Sequence, residues 1–283
     1  MSRVAYVNGR YLPHAVAAVH IEDRGYQLGD GVYEVCEVRG GRLVDEARHM
    51  ARLARSLGEL RIAMPAAPSA LGVIMREVVQ RNRVAHGLVY LQVTRGVASR
   101  DHAFPAKAPR PALVVTAKTI PIEARDARAA KGVAVITTPE TRWARVDIKS
   151  IGLLPNVLAK QQAHEAGAFE AWFVDRDGLV TEGSSSNAWI VTKGGAVVTR
   201  PADTAILKGV TRALLIDILE REALRFEQRA FSVAEAYAAR EAFLTSATTA
   251  ATPIVSIDGR RIGDGRPGPV ATALRAHVRA SET

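Results

Sequence analysis

Lys149, Lys160, Lys193 and Lys208 are the lysines of the second half of the chain. An amine that is to attack a carbonyl carbon must lose its proton, so it needs desolvation or a nearby cation. Lys193 lies in a glycine-rich turn, and Lys160 lies mid-helix beside Gln161 and Gln162; both settings are solvated. Lys149 lies in Asp147-Ile148-Lys149-Ser150-Ile151-Gly152-Leu153-Leu154, which is apolar and poor in charge. It reads either as a Schiff-base lysine or as a snorkelling lysine on an edge strand. In Thr181-Glu182-Gly183-Ser184-Ser185-Ser186-Asn187 one acid precedes small and polar residues. That is either a polar loop or a carboxylate beside an anion-tolerant set of hydroxyls and amides.

Three further segments carry usable groups. Ile206-Leu207-Lys208-Gly209-Val210-Thr211-Arg212 opens a helix. Gly209 permits close backbone approach, and the first amides with the Thr211 hydroxyl suit a phosphate; a plain helix start is the other reading. Leu244-Thr245-Ser246-Ala247-Thr248-Thr249 is a hydroxyl-rich loop after a strand, either a second source of phosphate donors or an ordinary loop. In Thr94-Arg95-Gly96-Val97-Ala98-Ser99-Arg100-Asp101-His102-Ala103-Phe104-Pro105, the side chains of Arg100 and His102 project to one side of an extended loop. An arginine with a neighbouring histidine can grip a carboxylate; the competing reading is a solvated basic loop.

The elements that must position these groups follow from pattern. Val4–Val7 is a strand entering a hairpin at Asn8-Gly9. A tight turn at Gly29-Asp30-Gly31 precedes an alternating strand over 32–38. Residues 45–60 and 69–84 have helical spacing, and 88–94 and 112–117 are strands of the same sheet. Thr119–Lys131 is rich in Ala, Arg and Asp, carries Pro121, and reads as the crossing between two domains. Beyond it come a strand over 133–137 and a helix over 155–165, with Pro155 in its first turn and Gly167 at its exit. Hairpins follow at Arg176-Asp177-Gly178 and Lys193-Gly194-Gly195. Helices over 209–223 and 232–239 and strands over 242–244 and 254–257 complete an α+β chain of two mixed domains, with no internal repeat.

Composition bounds the function. The net charge is +9, but the basic residues are spread along the chain and interleaved with acids, as in Glu220-Arg221-Glu222. With no basic arm, zinc-finger spacing or aromatic stacking motif, nucleic-acid binding is not expected, and a surface that attracts anionic substrates is the simpler reading. No metal site is expected. Cys36 is the single cysteine, so no intrachain disulfide can form, and it reads as a small buried hydrophobe. With no leader-like or membrane-length apolar run, the expectation is a cytoplasmic protein.

In their order and spacing these fragments resemble the fold-type IV enzymes that use pyridoxal 5′-phosphate (PLP), which include branched-chain aminotransferases, D-amino acid aminotransferases and aminodeoxychorismate lyases. The match is nearly end to end. It covers Tyr6-Val7-Asn8-Gly9, Asp23-Arg24-Gly25-Tyr26-Gln27-Leu28-Gly29-Asp30-Gly31-Val32-Tyr33-Glu34, His49 with Arg52-Leu53, the lysine segment through Pro155-Asn156, Glu182-Gly183, Gly209-Val210-Thr211-Arg212 and the Ser246 loop. The resemblance implies a two-domain architecture: a smaller N-terminal α/β domain over 1–118, a linker over 119–132 and a larger PLP-binding domain over 133–283.

It also implies roles. Lys149 would hold PLP as an internal aldimine and later shuttle the α-proton, and Glu182 would pair with the ring nitrogen. Arg52, which by itself reads as a helix-surface arginine, would bind the phosphate with Gly209, Val210, Thr211 and the loop Ser246-Ala247-Thr248; Leu207 would support the back of the ring. Family members often carry Thr where this chain has Ala247, which leaves the backbone amide as the group on offer there. Arg100-Asp101-His102 with Phe104-Pro105 resembles the D-amino acid aminotransferases, whose arginine and histidine join a tyrosine matching Tyr33 to trap the substrate α-carboxylate. That loop comes from the neighbouring subunit, so a homodimer with shared sites is implied. The reaction implied is ping-pong transamination between a D-amino acid such as D-alanine and a 2-oxo acid, 2-oxoglutarate or pyruvate. The alternatives on the same scaffold are an L-branched-chain aminotransferase and an aminodeoxychorismate lyase.

Overall fold

The computed structural model describes residues 3–281 and divides into two compact units. The first takes the chain through Ile122 and adds Ile148–Gly152; the second holds Glu123–Asp147 and everything from Leu153 onward. The mixed helices and sheets of both units make the chain α+β, as expected.

The first unit contains β1 (Val4–Val7), β2 (Arg10–Pro13), α1 (Arg24–Leu28), β3 (Gly31–Arg39), β4 (Arg42–Leu43), α2 (Glu46–Glu59), α3 (Pro68–Arg81), β5 (His86–Thr94) and β6 (Ala112–Thr119). Its six strands form an antiparallel sheet in the order β2-β1-β6-β5-β3-β4. The β1–β2 turn places Asn8 and Gly9 at positive φ, 48° and 98°, which explains that residue pair. Burial alternates along β5, so one sheet face is apolar. Leu53 and Leu57 of α2 and Leu71, Met75 and Val78 of α3 cover that face against Val89, Leu91 and Val115.

Ile148–Gly152 joins this unit by backbone pairing. The Tyr33 N–H donates to the Lys149 carbonyl (3.0 Å) and the Ile151 N–H to the Gly31 carbonyl (3.1 Å), with an antiparallel bridge between Val32 and Ser150. Ile148 lies in the core beneath.

The second unit contains α4 (Ile122–Lys131, from its second residue), β7 (Val133–Pro139), α5 (Leu154–Glu165), β8 (Glu170–Val174), β9 (Val180–Gly183), β10 (Asn187–Val191), β11 (Val197–Thr199), α6 (Val210–Arg221), β12 (Phe226–Gln228), α7 (Val233–Ala238), β13 (Glu241–Ser246), β14 (Ala250–Ile257), β15 (Arg260–Arg261) and α8 (Pro269–Ser281). Its nine-stranded sheet runs β12-β11-β10-β13-β14-β7-β8-β9, with β15 paired to β14. One apolar cluster centres on Trp172, Phe231 and Ile254; another packs α6 and α8 against Trp189 and Phe243. The stretch read as a domain crossing contains helix α4, which buries only Ala129 and so gave little periodic signal.

Candidate active site

In the second unit Asn187 organises the polar groups. It starts β10, whose register sets it opposite Thr245, the residue before Ser246 on β13. Its Nδ2 donates to Glu182 Oε2 (2.9 Å) and to the Leu207 carbonyl (2.9 Å). The Leu207 N–H also donates to Glu182 Oε2 (3.1 Å), and the other oxygen, Oε1, accepts from Arg142 (2.6 Å). Glu182 and Arg142 are a nearly solvent-free ion pair. Arg142 also bonds Glu140 (2.6 and 2.9 Å) and lies over the Phe173 ring. Burial works to lower the Arg142 pKa, but the Glu140 hydrogen bonds and the Glu182 charge outweigh it, and the value is raised. Glu140 shifts oppositely: burial pushes up, Arg142 and Thr181 pull down further, and the carboxyl ends below its ordinary range.

Gly209 caps α6 against the same asparagine. A Cβ at Gly209 would lie 2.1 Å from Asn187 Oδ1, so the backbone there must stay bare. The α6 N-terminus has no side-chain cap, although Val210 and Thr211 are buried. First-turn amides have no partner within a helix, and their dipole favours an anion. The unit thus gathers Glu182, Leu207, Gly209, Val210 and Thr211, with the Ser246 end of β13 one residue beyond Asn187's partner. In that loop the Ser246 and Thr249 hydroxyls bond each other (2.9 Å), and Arg125 donates to the Thr248 carbonyl (2.9 Å). The three serines after Gly183 do something other than face an anion. The hydroxyls of Ser184, Ser185 and Ser186 all donate to Glu170, a fully buried carboxylate on β8.

In the first unit the Lys149 Nζ lies 4.1 Å from the centroid of the Tyr33 ring, which stacks on Tyr90 (5.6 Å). The Lys149 N–H donates to Ser56 Oγ on α2 (3.3 Å). Arg52, one helical turn before Ser56, is not a surface residue: its Nε and Nη2 donate to the two oxygens of Glu34 at 2.7 and 2.8 Å. His49 Nδ1 reaches Glu34 Oε2 at 2.8 Å. Burial pushes the Glu34 carboxyl up, but Arg52 and His49 together hold it at about 2. Cys36 is buried in this core, and desolvation keeps its thiol pKa well above the ordinary value.

Arg100 and His102 are exposed on the loop after β5, and among the described residues neither side chain has a hydrogen-bond or ion-pair partner. Both readings of that loop, carboxylate trap and solvated basic loop, are compatible with this exposure.

These residues suit PLP. Glu182 carries a donor set matched to a carboxylate anion, the partner a protonated pyridine nitrogen requires. The bare Gly209 and the uncapped amides of α6 suit a phosphate. Sequence reasoning missed Arg142 and the part Asn187 plays. Arg142 sits in an irregular segment between β7 and Lys149, where no local pattern marks it.

The fold is that of solved aminotransferases. The T.th. branched-chain amino acid aminotransferase with pyridoxamine 5′-phosphate superposes with a TM-score of 0.90 at 26% identity, over 100% of this chain and 95% of that one. The Escherichia coli branched-chain enzyme shares the fold at 0.89 and 21% identity, over 100% and 95%. Residues 31–257 match the model of amino-transferase class IV. A D-alanine aminotransferase from Bacillus licheniformis is 44% identical over 98% of this chain and 97% of its own length, and one from Staphylococcus haemolyticus is 37% identical over 95% and 94%. The chain belongs to the class IV aminotransferase family.

Proposed function

We propose that this aminotransferase exchanges amino groups between a D-amino acid such as D-alanine and a 2-oxo acid, 2-oxoglutarate or pyruvate. The observation that carries the reading is the shared ladder of Lys149 and Tyr33. One backbone pairing sets the amine against the phenol ring, so the group that handles the Cα proton and a group of the carboxylate trap are fixed to each other. Full-length relatives named D-alanine aminotransferase support the hand.

The family's cofactor is PLP, which when bound supplies a carbonyl carbon for the substrate's amino group and a ring that stores the electrons released at Cα. Lys149 is the amine that would hold that carbonyl carbon. As a free amine beside the substrate, its Nζ would take the proton from Cα. The Tyr33 ring face beside Nζ stabilises the ammonium that results. Glu182 would pair with the ring nitrogen, and Leu207 would support the ring. The amides of Gly209, Val210 and Thr211, the Ser246-Ala247-Thr248 loop and Arg52 would hold the phosphate. Tyr33, Arg100 and His102 bind the substrate α-carboxylate, in a homodimer in which each copy's Arg100 and His102 serve the other copy's site. With the carboxylate fixed and Lys149 on one face, only one hand of amino acid presents its Cα hydrogen to the amine.

The test is a visible spectrum of the PLP-loaded protein while D-alanine, then L-leucine, is added without acceptor. Bleaching by D-alanine alone is expected. Bleaching by L-leucine alone would overturn the hand, and the absence of a visible band after PLP is supplied would overturn the role of Lys149.

A further inference from the structure

Of the segment Asp23–Glu34, the proposed function uses Tyr33, with Glu34 behind Arg52. Arg24 is almost wholly buried, and its contacts lead elsewhere. Its Nε donates to Asp30 Oδ2 (2.8 Å), while Nη1 donates to the backbone carbonyl of Asp101 (2.6 Å) and Nη2 to that of His102 (3.5 Å). Asp30 also accepts Arg95, through Nε (2.7 Å) and Nη2 (2.9 Å). The Arg95 guanidinium in turn lies 3.7 Å from the centroid of the Phe104 ring. One carboxylate therefore anchors two arginines, and these hold the loop at residues 101, 102 and 104. The base of the loop is fixed as well: Arg24 N–H donates to the Gly96 carbonyl (3.0 Å), and Gly96, at φ 100°, leaves no room for a Cβ against the Arg110 carbonyl.

The direction of Arg100 and His102 is set by this backbone, because no side chain among the described residues braces them. A trap for a carboxylate must be placed to within about 0.5 Å to bind well. We propose that Arg24, anchored by Asp30, is a positioning residue: it orders the loop carrying Arg100 and His102 and so sets how tightly the substrate α-carboxylate is held. This rests on the carboxylate role proposed for those two side chains.

The test uses the PLP-loaded enzyme and two variants. Arg24→Lys keeps the charge beside Asp30, but a single ammonium cannot span a carboxylate and two carbonyls. Phe104→Leu removes the ring from over Arg95 at an exposed position, while the hydrogen bonds among Arg24, Asp30 and Arg95 keep all their atoms. Two readouts are taken: the rate of tryptic cleavage after Arg100, and KM and kcat with D-alanine. Arg24→Lys is expected to raise both the cleavage rate and KM about tenfold, as loss of a charge-assisted hydrogen bond implies, with kcat within twofold; Phe104→Leu shifts both in the same direction by less. Unchanged cleavage and KM in both variants, or a fall in kcat at constant KM, would overturn the proposal. Arg100→Ala separates the readings. If it leaves KM unaltered, the carboxylate role falls and cleavage alone decides on Arg24. If it raises KM while Arg24→Lys alters neither readout, only the positioning proposal falls.

Discussion

Glu170 and Glu182 are both buried carboxylates of the second unit, on neighbouring strands β8 and β9, yet their surroundings differ in kind. Glu170 is wrapped by neutral donors: three serine hydroxyls and the backbone N–H groups of Ala171 and Ser185, with the Lys160 amine more distant at 3.5 Å. Glu182 faces a buried guanidinium and two amide donors, beside an uncapped helix start. Hydroxyls at close range satisfy an acid and finish it as structure. A guanidinium balances the acid while leaving it a directed anion that a cofactor nitrogen can use. The difference separates a carboxylate satisfied within the fold from the one proposed to pair with the cofactor nitrogen, and it can be broken in graded ways.

The largest effect is expected of Glu182→Gln. It should lower kcat with D-alanine by about 10²–10³-fold, the cost typical of removing one preorganised electrostatic partner, in steady-state assays of the PLP-loaded enzyme. A variant within threefold of the parent would erase the distinction. Next comes acid stability. Glu34, the guanidinium-held carboxylate of the first unit, has a folded value of about 2 against an ordinary 4.5. A depressed carboxyl contributes stability that is complete above about pH 4.5 and is lost as pH falls toward 2, on the order of 3 kcal/mol in all. Denaturant titrations from pH 6 down to pH 3 should show Glu34→Gln with a flatter acid limb than the parent; parallel limbs would show that Arg52 does not grip Glu34 as the geometry has it. The smallest effect is expected of Glu170→Gln, about 1–2 kcal/mol of stability, the net worth of a hydrogen bond or two, with kcat unaltered. Lost activity in a stably folded Glu170→Gln protein would make Glu170 part of the chemistry.

Much of this was legible locally. Asn8-Gly9, the Pro155 helix start and the strands over 32–38 and 88–94 are short-range signals, and the structure forms each, although the alternation expected along 32–38 is broken by the burial of Cys36, Glu37 and Val38 in succession. The apolar setting of Lys149 and the lone acid in a polar run marked the two residues with the strongest claim to chemistry. What local pattern could not supply was partnership. Arg142 meets Glu182 across 40 residues, and Asn187 gains its reach from the register of β10 on β13. The serine run looked the same whether it faced a ligand or Glu170, because a row of hydroxyls has no preference between anions. Arg52 looked like a surface arginine because its buried partner lies on β3, outside its own helix. Only its resemblance to a family motif pointed inward. The helical spacing of Ala271, Leu274 and Val278 in α8 was a readable signal that went unused.

The pairing of Ile148–Gly152 with β3 bears on how the chain is made. Synthesis runs from the N-terminus, so the strands of the first unit are made before residue 148 exists. Until then the Tyr33 N–H and Gly31 carbonyl at the start of β3 lack the partners they have in the finished protein, and an open strand edge invites pairing with another chain. The lysine segment closes that edge late, after the ribosome has passed β7. A chain that ends before Lys149 lacks the backbone that pairs with the start of β3, and so keeps that strand edge open.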